Sequence, residues 1–259
     1  FGSSYSNDII GFVQDVLGVR FGRALDIIRA HARRHAYQEI ADYITEKNTM
    51  GSLKPLSIEE VSEASAALLQ KESRMLKYLI HNRGIHEKTI QRFRLGKYWH
   101  NGDPCLLIPY AMNEDEEVTN YKLMAFDPNR MAWIQEDGRK KVRTSGAAQL
   151  YPQKSLKSDK VVICEGELDV LTLRQAGLNA VTGTAGAGTF KREWAEFIST
   201  ATSQASTMFD GDEAGRRGAE DTAEVLLSNG LDRVLIGHIP EGMDVNDCWM
   251  GFLASQFDD

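Results

Sequence analysis

The sequence is short of the residues that build disulfides, zinc centres and membrane spans. It holds three cysteines in 259 residues, Cys105, Cys164 and Cys248, far apart and each within or beside an apolar stretch. No Cys-x-x-Cys occurs, so the expectation is buried thiols in a reducing cytoplasm, with neither disulfides nor structural zinc. No run of eighteen apolar residues exists, which excludes a spanning helix, no membrane partner is expected, and no signal-peptide pattern opens the chain. A start at Phe1 rather than Met reads as a piece of a longer chain. Positive charge is also scarce, for the net charge is −7. Its distribution matters more than its sum. Residues 153–259 carry 9 Lys+Arg against 18 Asp+Glu, whereas residues 1–152 carry 21 against 19.

The acidic half contains Lys160-Val-Val-Ile-Cys-Glu-Gly-Glu-Leu-Asp169 and, some forty residues on, Met208-Phe-Asp-Gly-Asp-Glu-Ala-Gly215. Each is an apolar run that turns acidic at a glycine and leads into a helical pattern. That reads as a buried parallel strand entering a loop. In open α/β sheets chemistry sits at the carboxyl ends of such strands. Glu165, Asp210 and Asp212 are therefore expected at one sheet edge, with Asp244 after the next strand and Asp247 further out. Clustered carboxylates without His or Cys suit Mg²⁺ or Mn²⁺. Glu165 either ligates a metal or accepts a proton. Asp210 and Asp212, two apart, project together if the segment stays extended. Glu167, Asp169 and Glu213 read as first-turn helix acids. Gly166 and Gly211 are expected to let backbone approach metals or phosphates.

Strands are expected at 160–164, 179–182, 205–209 and 232–239, with helices at 167–176, 189–199, 214–228 and after Asp244. Alternating strands and helices imply a parallel sheet with covered faces. The turn from Gly183 to Gly188 lacks the Lys-Ser/Thr of a P-loop, so ATPase chemistry is not supported. Gly186 and Gly188 there make either a phosphate cradle or a tight turn.

Further back, two helices are expected over 6–17 and 21–47. His31 and His35 stand four apart in the second, read as a solvated basic face. A linker over 49–56 precedes the capping box Ser57-x-x-Glu60, then helices to Arg83 and over 85–96. Four strand-like runs between Tyr98 and Gln135, separated by turns, suggest a small antiparallel sheet. The densest basic cluster follows, Arg139-Lys-Lys-Val-Arg143.

Glu165-Gly166-Glu167-Leu168-Asp169 with Asp210-Gly211-Asp212-Glu213-Ala214-Gly215 resembles the Toprim module of bacterial-type primases, topoisomerases and some nucleases. The string from Tyr78 to Gly96, with its Arg83-Gly84-Ile85 and Phe93-Arg94-Leu95-Gly96, resembles the lead-in of the DnaG-like primase core. The opening, around Asn7–Val13 and Phe21–Leu25, resembles the helices that close the primase zinc ribbon, though Ser3 and Ser4 stand where its last cysteine would be. The resemblance is strongest to phage-type primases, including those fused to a helicase. It implies an α/β Toprim domain over 153–259, an α+β basic lobe over 54–152 and a helical segment over 1–53. It implies RNA primer synthesis from NTPs on single-stranded DNA, beside a fused or separate replicative helicase, in a bacterial or phage-infected cell. Glu165, Asp210 and Asp212 would be catalytic, with Asp244 completing the metal set. Lys141, then Lys140 and Arg143, with Lys122 and Arg130 weaker, would bind nucleotide or nucleic acid. The rival readings are a Toprim nuclease and a primase-derived module that binds DNA or helicase without synthesis.

Overall fold

The computed structural model describes residues 53–112, 117–152, 160–184 and 190–255. The expected helices over 6–47, the histidine pair and the glycines at 186 and 188 lie outside them. Leu53–Asp259 is one compact unit built on two five-stranded sheets.

Ser57 starts the first helix, α1 (Ile58–Leu68). Its hydroxyl accepts the Glu60 N–H at 3.1 Å, and the Glu60 carboxylate accepts the Ser57 N–H at 2.9 Å. This reciprocal cap satisfies two otherwise orphaned donors. Val61, Ala64 and Leu68 then point inward. The expected helix ending at Arg83 is α2 (Arg74–Lys77) continued by a π turn over Tyr78–Asn82, closed by the Arg83 N–H on the Tyr78 carbonyl at 3.2 Å. A short helix, α3 (Glu87–Arg92), follows.

The first sheet is antiparallel: β1 (Gly96–His100), β2 (Asp103–Met112), β3 (Val118–Asp127) and β4 (Ala132–Trp133) lie in that order. The basic cluster is itself folded in. β5 (Gln135–Glu136) and β6 (Arg139–Lys140) form a two-stranded ribbon, and β7 (Val142–Ser145) pairs with β3. Both faces of this sheet are buried, and side-chain alternation sorts them. Cys105, Leu107, Tyr121, Leu123 and Ala125 pack with Val61 and Ala64 of α1. Leu106, Ile108, Met124 and Phe126 face the other way, onto Cys164, Leu168 and Leu171.

The second sheet holds β8 (Leu150–Tyr151), β9 (Lys160–Cys164), β10 (Ala180–Gly183), β11 (Gln204–Met208) and β12 (Arg233–Ile236), in the order β12-β11-β9-β10-β8. Its last four strands in sequence are parallel; β8 joins antiparallel at the edge. The helices between them are α4 (Glu167–Gln175), α5 (Arg192–Ala201) and α6 (Glu213–Ser228), with α7 (Val245–Ser255) last. No helix among the described residues is long and apolar enough to cross a membrane. The cysteines are free, Cys105 and Cys164 buried and Cys248 half-buried.

Candidate active site

Strand order selects one place in the parallel sheet. From β9 the chain runs one way to β10; from β11 it runs the other way to β12. Adjacent strands whose connections diverge leave a crevice at their carboxyl ends. Met208 is in register with Cys164, so Glu165 and Phe209 leave the sheet level with each other and Asp210 follows. A cleft of about 190 Å³ opens there. Glu165, Asp169, Asp210 and Asp244 line it from the side of the parallel sheet, Lys122 and Val142 from the antiparallel sheet and Lys140 from the β5–β6 ribbon.

Close backbone packing fixes the acidic loop. A side chain at Gly211 would put its Cβ 1.9 Å from the Pro240 carbonyl, and one at Gly215 would meet the Asp210 carbonyl at 2.2 Å. Gly211 thus admits the loop carrying Asp244, through bonds from its N–H to Met243 O (2.9 Å) and from the Gly242 N–H to its own carbonyl (3.0 Å). Both glycines serve packing of protein on protein. Asp212 caps α6, accepting the Gly215 N–H at 2.7 Å. The strand ends at Met208, so Asp212 turns into the helix cap and does not line the cleft beside Asp210. Asp244 and Asp247 hold each other's backbone N–H at 2.6 and 3.0 Å, and Arg83 donates to the second Asp244 oxygen at 3.2 Å.

Arg83 was not among the sequence candidates, although it stands in the Arg-Gly-Ile string. The structure secures it from two sides. Its carbonyl accepts from Asn246 at 2.6 Å, and that of Gly84 accepts from Gln175 at 2.6 Å and from Trp249 at 3.3 Å.

The carboxyls are short of positive charge. Burial, with Glu165 and Asp244 nearby, pushes Asp210 up to about 6. Burial pushes Asp169 up to about 7, with Asp244 and Asp210 adding to it. Glu165 is also raised, first by burial and then by Asp212, against the Asp210 N–H and Lys140. Asp210 Oδ1 is buried without a hydrogen-bond partner, a costly state for a carboxylate oxygen. An all-oxygen donor set with one orphaned acceptor fits a hard divalent cation. As the side chains stand, no three His, Cys, Asp or Glu among the described residues converge closely enough to hold one; Asp212 and Asp244 are spent on caps and on Arg83.

Of the basic candidates, Lys122 and Lys140 line the cleft. Lys141 and Arg143 lie on the opposite side of the strand. They line a separate pocket of about 70 Å³ with Leu123 and Ala125, and Lys141 binds Asp103 at 2.7 Å. Arg130 is exposed and pairs with Asp127 at 3.6 Å. Glu167 sits in the first turn of α4, yet it is buried and takes both Lys122 and the hydroxyl of Tyr110. That contact has no sequence signal, because its three residues come from three separate elements.

A family profile described as Toprim-like matches residues 162–249. That stretch spans the Glu165 loop, the Asp210 loop and Asp244. The chain is also similar to the DNA primase of Staphylococcus epidermidis, 35% identical over 101 residues, which cover 39% of this chain and 17% of that protein. Similarity to a Staphylococcus aureus DNA primase is 30% over 138 residues, 53% of this chain and 20% of the relative. The chain thus spans a fifth or less of these relatives. Among solved structures, the DnaG catalytic core superposes with a TM-score of 0.57 at 19% identity, covering 76% of this chain and 77% of the other. The DnaG primase catalytic domain bound to ssDNA gives 0.55 at 19%, covering 75% and 76%. The fold is that of the DnaG catalytic core, and the stretch that matches the Toprim-like profile forms most of its parallel sheet.

Proposed function

We propose that this chain synthesises short RNA primers for DNA replication, joining NTPs on a single-stranded DNA template with Mg²⁺ or Mn²⁺. The observation that carries this reading is the cleft itself, in which Glu165, Asp210 and Asp244, from three separate loops that follow strands, face Lys122 of the antiparallel sheet and Lys140 of the two-stranded ribbon. Primases relate to this chain by sequence, and a DnaG neighbour is described as bound to ssDNA.

Divalent cations held there would activate the attacking 3′-hydroxyl and neutralise the departing pyrophosphate. Glu165, Asp210, Asp212 and Asp244 are the residues that would hold them, Asp212 by giving up its helix cap and Asp244 by turning from Arg83. Glu165, its proton affinity raised by burial, would either join in holding them or accept the hydroxyl proton. Lys140 and Lys122 would face the triphosphate or template phosphates. A replicative helicase, fused or separate, is the proposed partner, and the cytoplasm the proposed compartment.

A gel assay tests this, with single-stranded template, NTPs and Mg²⁺ or Mn²⁺. Primer-length RNA that disappears in Asp210→Ala is the expected result. Template cleavage without NTPs would instead assign the same carboxylates to a nuclease. DNA binding with neither product would leave a binding module.

A further inference from the structure

The cleft contains a cation that its principal carboxylates do not use. Lys122 Nζ lies 2.5 Å from Glu167 Oε1, and Tyr110 donates its hydroxyl to the same oxygen at 2.5 Å. Glu167 is only 5% exposed, and the Lys122 side chain 16%. Lys140 lines the cleft with Glu165 and Asp210, and its charge lowers the proton affinity of both.

The contact is built from both sheets. Lys122 lies within β3. In β2 the register slips between Pro109 and Ala111, which leaves Tyr110 as the extra residue of a bulge; bulges re-aim side chains beside sites. Tyr110 is braced by Tyr151, ring centroids 5.1 Å apart. Glu167 comes from the first turn of α4, where an acid could satisfy the helix dipole from an exposed position. Its burial against a lysine and a tyrosine asks for another reason.

A lysine on a flexible stem is the natural competitor for a divalent ion at a carboxylate. We propose that Glu167 is a positioning residue: with Tyr110 it holds the Lys122 ammonium against the cleft wall, so that Glu165 and Asp210 stay open to the divalent cation. This rests on the reading that those carboxylates bind such ions. Lys122 then serves as a phosphate partner instead of plugging the site. Glutamine could keep a hydrogen bond with Tyr110 but has no charge to hold the ammonium.

The test is Mn²⁺ binding to the whole chain, followed by electron paramagnetic resonance without NTP or template, with thermal unfolding run alongside. Glu167→Gln is expected to weaken Mn²⁺ binding about tenfold, because a freed ammonium repels the ion at short range. Adding Lys122→Met to that variant should restore binding to within about twofold of the parent, the pair being neutral again. Tyr110→Phe, which changes no charge, should weaken it about threefold and carries the test if Glu167→Gln does not fold. An unchanged Glu167→Gln would overturn the proposal. So would a double variant as weak as the single one, because Glu167 would then act on the ion itself, and so would a parent chain that binds no Mn²⁺. If the parent binds Mn²⁺ and responds as expected but makes no primer, the polymerase reading fails and this one stands.

Discussion

The two sheets of this chain place their charged residues by different rules. In the parallel sheet, acids stand where strands stop: Glu165 directly follows β9 and Asp210 follows β11 by one residue. On the facing wall, Lys122 stands within β3 of the antiparallel sheet and Lys140 ends β6 of the two-stranded ribbon. A strand end is a position in sequence, so its function can be read there. A mid-strand residue points one way or the other by parity, and a chain with both faces buried gives parity no apolar contrast to show itself. The acidic wall is thus set by topology and the basic wall by register.

The largest expected effect falls on the topological wall. Glu165→Gln keeps the shape of the side chain and removes its charge. Primer synthesis at saturating NTP should fall about a thousandfold, on the scale of losing one essential electrostatic group from a site. A loss below tenfold would mean that the carboxylate beyond β9 is not where the chemistry happens. Gly211→Ala attacks the same wall through packing. Its Cβ would stand 1.9 Å from the Pro240 carbonyl, and both backbones are tied by hydrogen bonds. Urea unfolding should show a loss of about 3 kcal/mol, within the range for overpacking a rigid contact.

The register-set wall is tested by neighbours in sequence. Lys140→Ala should weaken NTP or template binding about tenfold, by removing one phosphate contact. Lys141→Ala, one residue on, should change it less than about twofold, because Lys141 turns to Asp103 in the other pocket. Titrating binding against salt gives a second readout, in which only Lys140→Ala flattens the slope. Equal losses from the two variants would erase the parity argument.

What could be read in advance follows the same division. β9 lies at Lys160–Cys164, as expected from its β-branched run, and α6 starts at Glu213, where acid, alanine and glycine follow the strand. The Ser57 cap was legible because both of its partners sit within four residues. Three strands, β6, β7 and β8, were not: β7 is spelled Val-Arg-Thr-Ser, which looks like the tail of a basic loop until β3 is there to pair with it. The π turn before Arg83 had no local signal either. At the site, the acidic residues announced themselves by Glu-Gly and Asp-Gly-Asp. Arg83, Tyr110 and the buried role of Glu167 depended on contacts across more than fifty residues of chain, and no spacing rule reaches that far.

The smallest expected effect is also the one in which the two walls oppose each other directly. Asp169 and Asp210 hold their protons to about 7 and about 6, above the ordinary value of 3.8, because burial and neighbouring carboxylates disfavour their charged forms. A raised carboxyl makes the folded state bind more protons than the unfolded one between the two values. Stability therefore falls as pH rises from about 4 to about 7 and levels off above that. Lys140 and Arg83 relieve the strain only in part, since each acts on a different carboxyl. Thermal unfolding without divalent ions should give a Tm lower at pH 8 than at pH 5.5 by about 5 °C, the shift that one or two kcal/mol makes in a chain of this size. Asp210→Asn should shrink that difference while raising Tm at pH 8, a gain in stability from removing a residue proposed to hold the cation. Mn²⁺ should close the gap from the other direction, stabilising the parent more at pH 8 than at pH 5.5, where protons compete for the same oxygens. A Tm that is flat across this range, and blind to Mn²⁺, would mean that the basic wall already balances the acidic one and that no cation is wanted between them.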